Sequence, residues 1–390
     1  NMKVGASGMV TCSTNSRFSL DYTYKSSDSK VVSVDQKGNL TAWKKGTAKI
    51  TISASPINVQ KTIAIKVTDS TLSKSKTAYK STGAVGSVSA TMHQSINSGY
   101  TYGDVQTAYL NARADGTFER IEYIRGVVVR EVYDSSYRLK SQKKIKCELS
   151  LFGGYYRGKK YNYLVFGQSN PKESKSKEVI RVVKYDKNWK RLKTCSIKGA
   201  NTYTPFEAGG LSMTETAGKL YIHTCHTMFK SSDGYHHQAN CTFVVKEDSM
   251  KLVDSYYGVM NLSAGYVSHS FAQQIATDGT YIYRADLGDA YPRGIALTAT
   301  EVSKKVGEPA MYGTIISIPG YAGNNYTGYT LNDLKLGDNN YILTGTGIKS
   351  EKTSVKNVYI NAGSKTSLQK DASWITNYTA KDKITVMNPK

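Results

Sequence analysis

Five of the chain's six histidines fall between His223 and His269. His223 and His226 stand three residues apart, His236 and His237 are adjacent in SSDGYHHQAN, and His269 follows in YVSHSF. An imidazole exchanges protons near neutral pH, and its neutral nitrogens ligate borderline transition ions. Arg293, four residues after Asp289 in GDAYPR, brings paired donors suited to a sulfate or carboxylate. As a catalytic set, His223, His237, His269 and Arg293 would act on an anionic substrate. Gln168, Asn170, His226, Gln238, Asn240, Asp286 and Asp289 are the accompanying candidates for ligand contact. Imidazoles with an added carboxylate or amide carbonyl would also suit a divalent metal ion. A third reading is structural: buried polar side chains must be hydrogen-bonded, and these types tie loops to neighbouring elements.

The elements that would position these residues emerge from an internal repeat. Four segments place a glycine before an aromatic-aliphatic strand with a polar end: GKKYNYLVFGQSN, GKLYIHTCHT, DGTYIYRADLGD and LGDNNYILTGTG. Aligning Tyr163, Tyr221, Tyr281 and Tyr341 gives spacings of 58, 60 and 60 residues. A strand, an aspartate-based turn (Asp134, Asp186 or Asp248) and another strand form a second recurring motif. A multi-strand meander repeating at this length predicts a β-propeller over 105–390, with five blades or a sixth incomplete one. The aligned strand is expected to be innermost. Its polar ends (Gln168 and Asn170, His223 and His226, Asp286 and Asp289, Thr344 and Thr346) would then ring the axis, a divalent metal being one occupant. Strand alternation places His223 and His226 on opposite faces. The segments HTCHTMFKSSDGYHHQAN, YVSHSF and GDAYPR resemble propeller-like regions of surface proteins from Gram-positive anaerobes. Arylsulfotransferases and oligogalacturonate lyases are propeller enzymes with axial histidines, but neither motif is reproduced here in order.

Ahead of the repeat, Ser26-Ser27-Asp28, Val32 to Asp35, Gly38 to Ala42 and Gly46 to Thr51 alternate apolar and polar residues between glycine turns. This pattern closely resembles the bacterial immunoglobulin-like domain of group 2, over about residues 1–68. The resemblance implies a β-sandwich spacer on a secreted or surface protein. Residues 69–104, rich in Ser, Thr and Gly, read as a linker. The fold class is all-β, which thirty tyrosines against eight phenylalanines also favour.

The net charge of +22 favours anionic partners: an acidic glycan, a cell-wall polymer, or a host or neighbour surface protein. No nucleic-acid-binding motif accompanies it. The five cysteines form no metal knuckle, and Cys225 and Cys241 could bridge if their strands are adjacent. No apolar run reaches membrane-spanning length, and with no leader at its start the chain is expected to be part of a longer secreted protein. The loop IPGYAGNNYTGYT and Tyr256, Tyr257, Tyr321 and Tyr326 are further candidates for stacking on sugar rings, whereas Trp43 and Trp189 are expected to pack. The function expected is adhesion or glycan and partner binding outside the cell. The alternative is an extracellular enzyme of sulfotransferase, lyase or hydrolase type.

Overall fold

The computed structural model describes residues 1–4, 6–12, 20–68, 105–124, 126–258, 262–324, 326–350, 352–367 and 372–380. The expected linker, 69–104, lies outside the described residues. Among the described residues all regular structure is strand apart from one short 3-10 turn at Leu262–Ala264.

The N-terminal module is a two-sheet sandwich. One sheet runs Met2–Lys3, Val59–Thr68, Gly46–Ser55 and Asp21–Ser26, and the other runs Ser7–Met9, Asn39–Ala42 and Val32–Val34. Alternation explains the core: Ala48, Ile50 and Ile52 on one strand are buried, and Ala48 and Ile50 meet Val32, Leu40, Ala42 and Val67. The expected turn is present, with Asp35 Oδ1 accepting from the amides of Lys37 and Asn39 at 2.8 and 2.9 Å. Gly38 sits there at φ +81°, and a Cβ would lie 2.7 Å from the Val10 carbonyl, so only glycine fits.

The remainder forms five antiparallel meanders among the described residues. Blade I comprises Ala108–Ala112, Phe118–Ile124, Val127–Tyr133 and Leu139–Lys146. Blade II comprises Leu151–Arg157, Asn162–Gly167, Glu178–Tyr185 and Arg191–Lys198. Blade III comprises Leu211–Thr216, Lys219–Met228, Gln238–Lys246 and Lys251–Tyr256, with Thr202–Pro205 pairing the far end of its second strand. Blade IV comprises Ser270–Thr277, Tyr281–Asp289, Arg293–Glu301 and Met311–Ser317, and blade V Asp333–Leu336, Asn340–Ile348, Lys356–Ser364 and the two-residue Ser373–Trp374.

A single sheet has two apolar faces, and each blade buries them against its neighbours. One core cluster joins blades I and II through Ile121, Val128, Phe152, Leu164 and Trp189, and another joins II and III through Tyr163, Val182, Ile222 and Phe243. Tyr221, Val244, Ile275 and Ile282 join III to IV, and Leu297, Ile315, Leu334 and Tyr341 join IV to V. Burying such side chains contributes about 1.5–3 kcal/mol each. Asp134 and Asp186 make the expected turns, accepting amides two and four residues on at 2.8–2.9 Å. Trp189 packs as expected, buried and donating from Nε1 to Glu119 at 3.1 Å.

One expectation requires correction. The tyrosine-bearing repeat strand is the second of each meander, not the innermost. The first strands converge instead, and with the segments leading into them they line one cavity. A second strand has a paired strand on each side and a blade on each face, so it reads as a continuous apolar run, whereas the axial strand keeps one polar edge. Cys225 and Cys241 also stay unbridged. The register sets Cys241 opposite Thr224, so the two thiols point to opposite faces.

Candidate functional site

The cavity on the propeller axis has a volume of about 540 Å³ and takes its walls from every blade. Gln106 and Tyr156 come from blades I and II, Gly210–Thr214 from blade III, Phe271–Thr277 from blade IV and Leu331–Leu336 from blade V. Its polar groups are chiefly amides and hydroxyls, backed by Phe271, Met213 and Leu334.

Local hydrogen bonds hold these amides. Gln106 Nε2 donates to the Ala108 carbonyl at 2.7 Å, and Tyr109 OH donates to the Gln106 carbonyl at 2.9 Å. Gln274 Nε2 donates across to blade V at the Asn332 carbonyl (3.2 Å), and Thr330 Oγ1 donates to Asn332 Oδ1 (2.6 Å). Asp333 is the unbalanced member. Its Oδ1 accepts from the Leu334 amide at 2.9 Å, but Oδ2 is buried without a hydrogen bond. Lys335 Nζ stands 3.4 Å from Oδ2 and forms an ion pair with it. The residue is only 7% exposed, and burial raises its carboxyl pKa above the usual range, partly offset by Lys335.

The histidines form a different structure, buried between blades III and IV. His223 Nε2 lies 3.0 Å from Asp286 Oδ2 and its Nδ1 lies 3.0 Å from Thr242 Oγ1. Asp286 Oδ1 accepts from Ser270 Oγ at 2.9 Å, Ser270 Oγ accepts from Gln273 Nε2 at 2.7 Å, and Gln273 Oε1 accepts from the Gly210 amide at 2.6 Å. On the other side Arg284 donates to Thr242 and Thr300, each at 3.2 Å. The arginine is fully buried, which pushes its pKa down to about 10. Thr242 accepts from Arg284, so its own proton is available to His223 Nδ1, leaving Nε2–H to donate to Asp286.

Of the sequence candidates, the structure thus unites His223 with Asp286. It does not bring His223, His237, His269 and Arg293 together, and this corrects the expected catalytic set. His237 is partly exposed and pairs locally with Asp233 at 2.5 Å. His269 Nδ1 lies 3.0 Å from Asp289 Oδ1. Arg293 spends Nε, NH1 and NH2 on Pro319 O, Asn324 Oδ1 and Tyr326 O at 2.8–3.0 Å. His226 faces away from His223, as alternation requires. Thr202 donates to Ala200 O, so His226 Nδ1–H donates to Thr202 Oγ1 (2.7 Å), and burial pushes its pKa down to about 3.

The expected ligand contacts are structural ties. Gln168 donates to Glu178 O, Asn170 clasps the Ser174 backbone from both ends, and Gln238 donates to Ser270 O. Asn240 holds Gly265 O and the Val267 amide at 2.9 Å each, replacing a strand partner. Among the described residues no three His, Cys, Asp or Glu side chains are arranged to hold a metal ion, so the donor set does not fit the divalent ion expected at the axis. Sequence reading missed Gln106, Gln273, Gln274, Asn332 and Asp333. The usable signal was positional: in a meander the strand before each repeat glycine must be the inner one.

Fold and site define the class: an immunoglobulin-like sandwich joined in sequence to a five-bladed propeller with an amide-lined axial cavity. Residues 9–65 match the bacterial Ig-like domain (group 2), a module typical of extracellular bacterial proteins. No curated protein sequence matches the chain. Among solved structures, Penicillium chrysogenum alpha-L-arabinanase complexed with arabinobiose is similar at 10% identity over 69% of this chain and 80% of that one (TM-score 0.41). A thermostable family-43 glycoside hydrolase shares 9% identity over 71% and 96% (TM-score 0.36). An ACO/RPE65 chimera shares 10% over 66% of this chain and 58% of that one (TM-score 0.41). No helix among the described residues is long and apolar enough to cross a membrane.

Proposed function

We propose that this is an extracellular bacterial surface protein whose propeller binds a glycan in the axial cavity, with the N-terminal module as spacer. The observation that carries the reading is Asp333 Oδ2, a buried acceptor with no hydrogen bond and only the half-exposed Lys335 ammonium 3.4 Å away, set among amides and apolar side chains on the axis. Such a carboxylate gains most from a ligand hydroxyl, and sugars present hydroxyls beside apolar C–H faces. The cavity's volume lies within the range of ligand pockets. Partners of this chemistry are wall polymers and the glycans of neighbouring or host surfaces.

Binding is favoured over glycoside hydrolysis by the charges present. That reaction needs two carboxyl groups facing each other about 5–9.5 Å apart. Among the described lining residues Asp333 is the one carboxylate. The test is a glycan array followed by calorimetry on the hits with Asp333→Asn. The variant removes the acceptor without changing shape, and affinity is expected to fall at least tenfold with the thermal midpoint at pH 7 unchanged or raised. No retained glycan, or wild-type affinity in the variant, would overturn the reading.

A further inference from the structure

A second recognition surface lies where blade IV passes into blade V. Ile318–Tyr321, Asn324, Tyr326 and Thr327, with Ile348 and Ser350, enclose a groove of about 260 Å³ over Arg293. Tyr321 is 87% exposed and Tyr326 59% exposed, and neither belongs to a core cluster. Large aromatic rings held in water on an ordered loop are a feature of binding surfaces.

The loop is fixed from beneath. Arg293 donates to the carbonyls of Pro319 and Tyr326 and to Asn324 Oδ1, and Asn324 Oδ1 also accepts the Tyr326 amide at 3.0 Å. The Gly323 amide donates to Asp289 O at 2.8 Å. Three of the guanidinium's five N–H donors are thereby used, leaving one on each terminal nitrogen. The three acceptors it meets are neutral oxygens, and its guanidinium lies under the tyrosines.

We infer that this groove binds an acidic sugar, with a ring face on Tyr321 and the sugar carboxylate on the free N–H groups of Arg293. A guanidinium suits a carboxylate geometrically, and the chain's charge of +22 draws polyanions to it. The same inter-blade segment continues to Leu331–Asp333 in the axial cavity, so a glycan chain held there has a second contact along one loop. The inference deepens the glycan-binding reading by naming a separate subsite and its ligand class.

The test is calorimetry with trigalacturonate and with its carboxyl-reduced counterpart, on the full chain and on Tyr321→Ala, Arg293→Gln and Asp333→Asn. Trigalacturonate is expected to bind at low salt at least tenfold more tightly than the reduced sugar. Tyr321→Ala, at a site too exposed to disturb folding, is expected to weaken it at least fivefold, and Arg293→Gln at least tenfold. Equal binding of the two sugars, no binding of trigalacturonate, or unchanged affinity in Tyr321→Ala would overturn the inference. Loss in Asp333→Asn alone would likewise overturn it while leaving the axial site standing.

Discussion

Replacing His223 with alanine separates a structural histidine from a catalytic one. The ring is fully buried and makes two hydrogen bonds, to Thr242 and to Asp286. Deleting it strips the donor from a buried carboxylate oxygen, costing about 1–3 kcal/mol. It also opens a cavity between blades III and IV, and truncation of a buried side chain of that size adds about 2 kcal/mol. Ser270 Oγ continues to hold the other oxygen of Asp286 and limits the loss, so the sum is about 3–5 kcal/mol. At about 2–4 °C per kcal/mol, the propeller's thermal midpoint falls by roughly 6–20 °C. His237→Ala is the control, because its pairing with Asp233 is solvent-exposed and worth less than about 1 kcal/mol. Urea unfolding of both variants, followed by far-ultraviolet circular dichroism, measures the difference. A His223→Ala protein within 1 kcal/mol of wild type, or a His237→Ala loss of 2 kcal/mol or more, would refute this assignment of roles.

Two further outcomes follow from the same packing. Gly209→Ala brings a Cβ to 2.9 Å from Ser270 O and nearer still to Cys225 Sγ, and because one obstacle is backbone the structure cannot yield cheaply. Chemical denaturation is expected to show a loss of about 2 kcal/mol or more. Glu215→Gln tests pH dependence: burial, with Glu247 alongside, raises the Glu215 pKa above the usual value of 4.5. A carboxyl raised on folding binds its proton more tightly in the native state, so stability is lost as pH rises through the native pKa. The glutamine variant removes that loss, so its urea midpoint is expected to exceed wild type at pH 7.5 and to match it at pH 4.

The fold was legible where pattern and packing agree. The Ser26–Thr51 alternation gave the sandwich because one face of each strand is buried, and the tyrosine period gave the blades because each second strand is enclosed alike. Blade I escaped the repeat although Asp115-Gly116-Thr117-Phe118 has the right form. Its second strand buries Glu119, Arg120 and Glu122, which look like a solvated face until Arg120 is seen bonding Glu122 at 2.9 Å and Glu131 at 2.8 Å. The reversal of inner and second strands has the same origin, since burial is what a sequence pattern reports and the axis is the less buried place.

The misassigned histidines show a more general limit. His, Asp, Ser, Gln and Arg are the residues a catalytic centre requires, and they are equally those needed to join two β-sheets through a polar seam. In the seam from Arg284 through Thr242, His223, Asp286, Ser270 and Gln273 to Gly210, each link supplies a partner its neighbour lacks, and only the buried Arg284 Nε is left without one. Residue type and spacing are the same in the two cases, and only the supply of partners differs. Where every donor meets an acceptor the cluster is complete and holds the fold. Where the pairing is weaker, as at Asp333 Oδ2 with only the Lys335 ammonium 3.4 Å away, a ligand hydroxyl has the most to add.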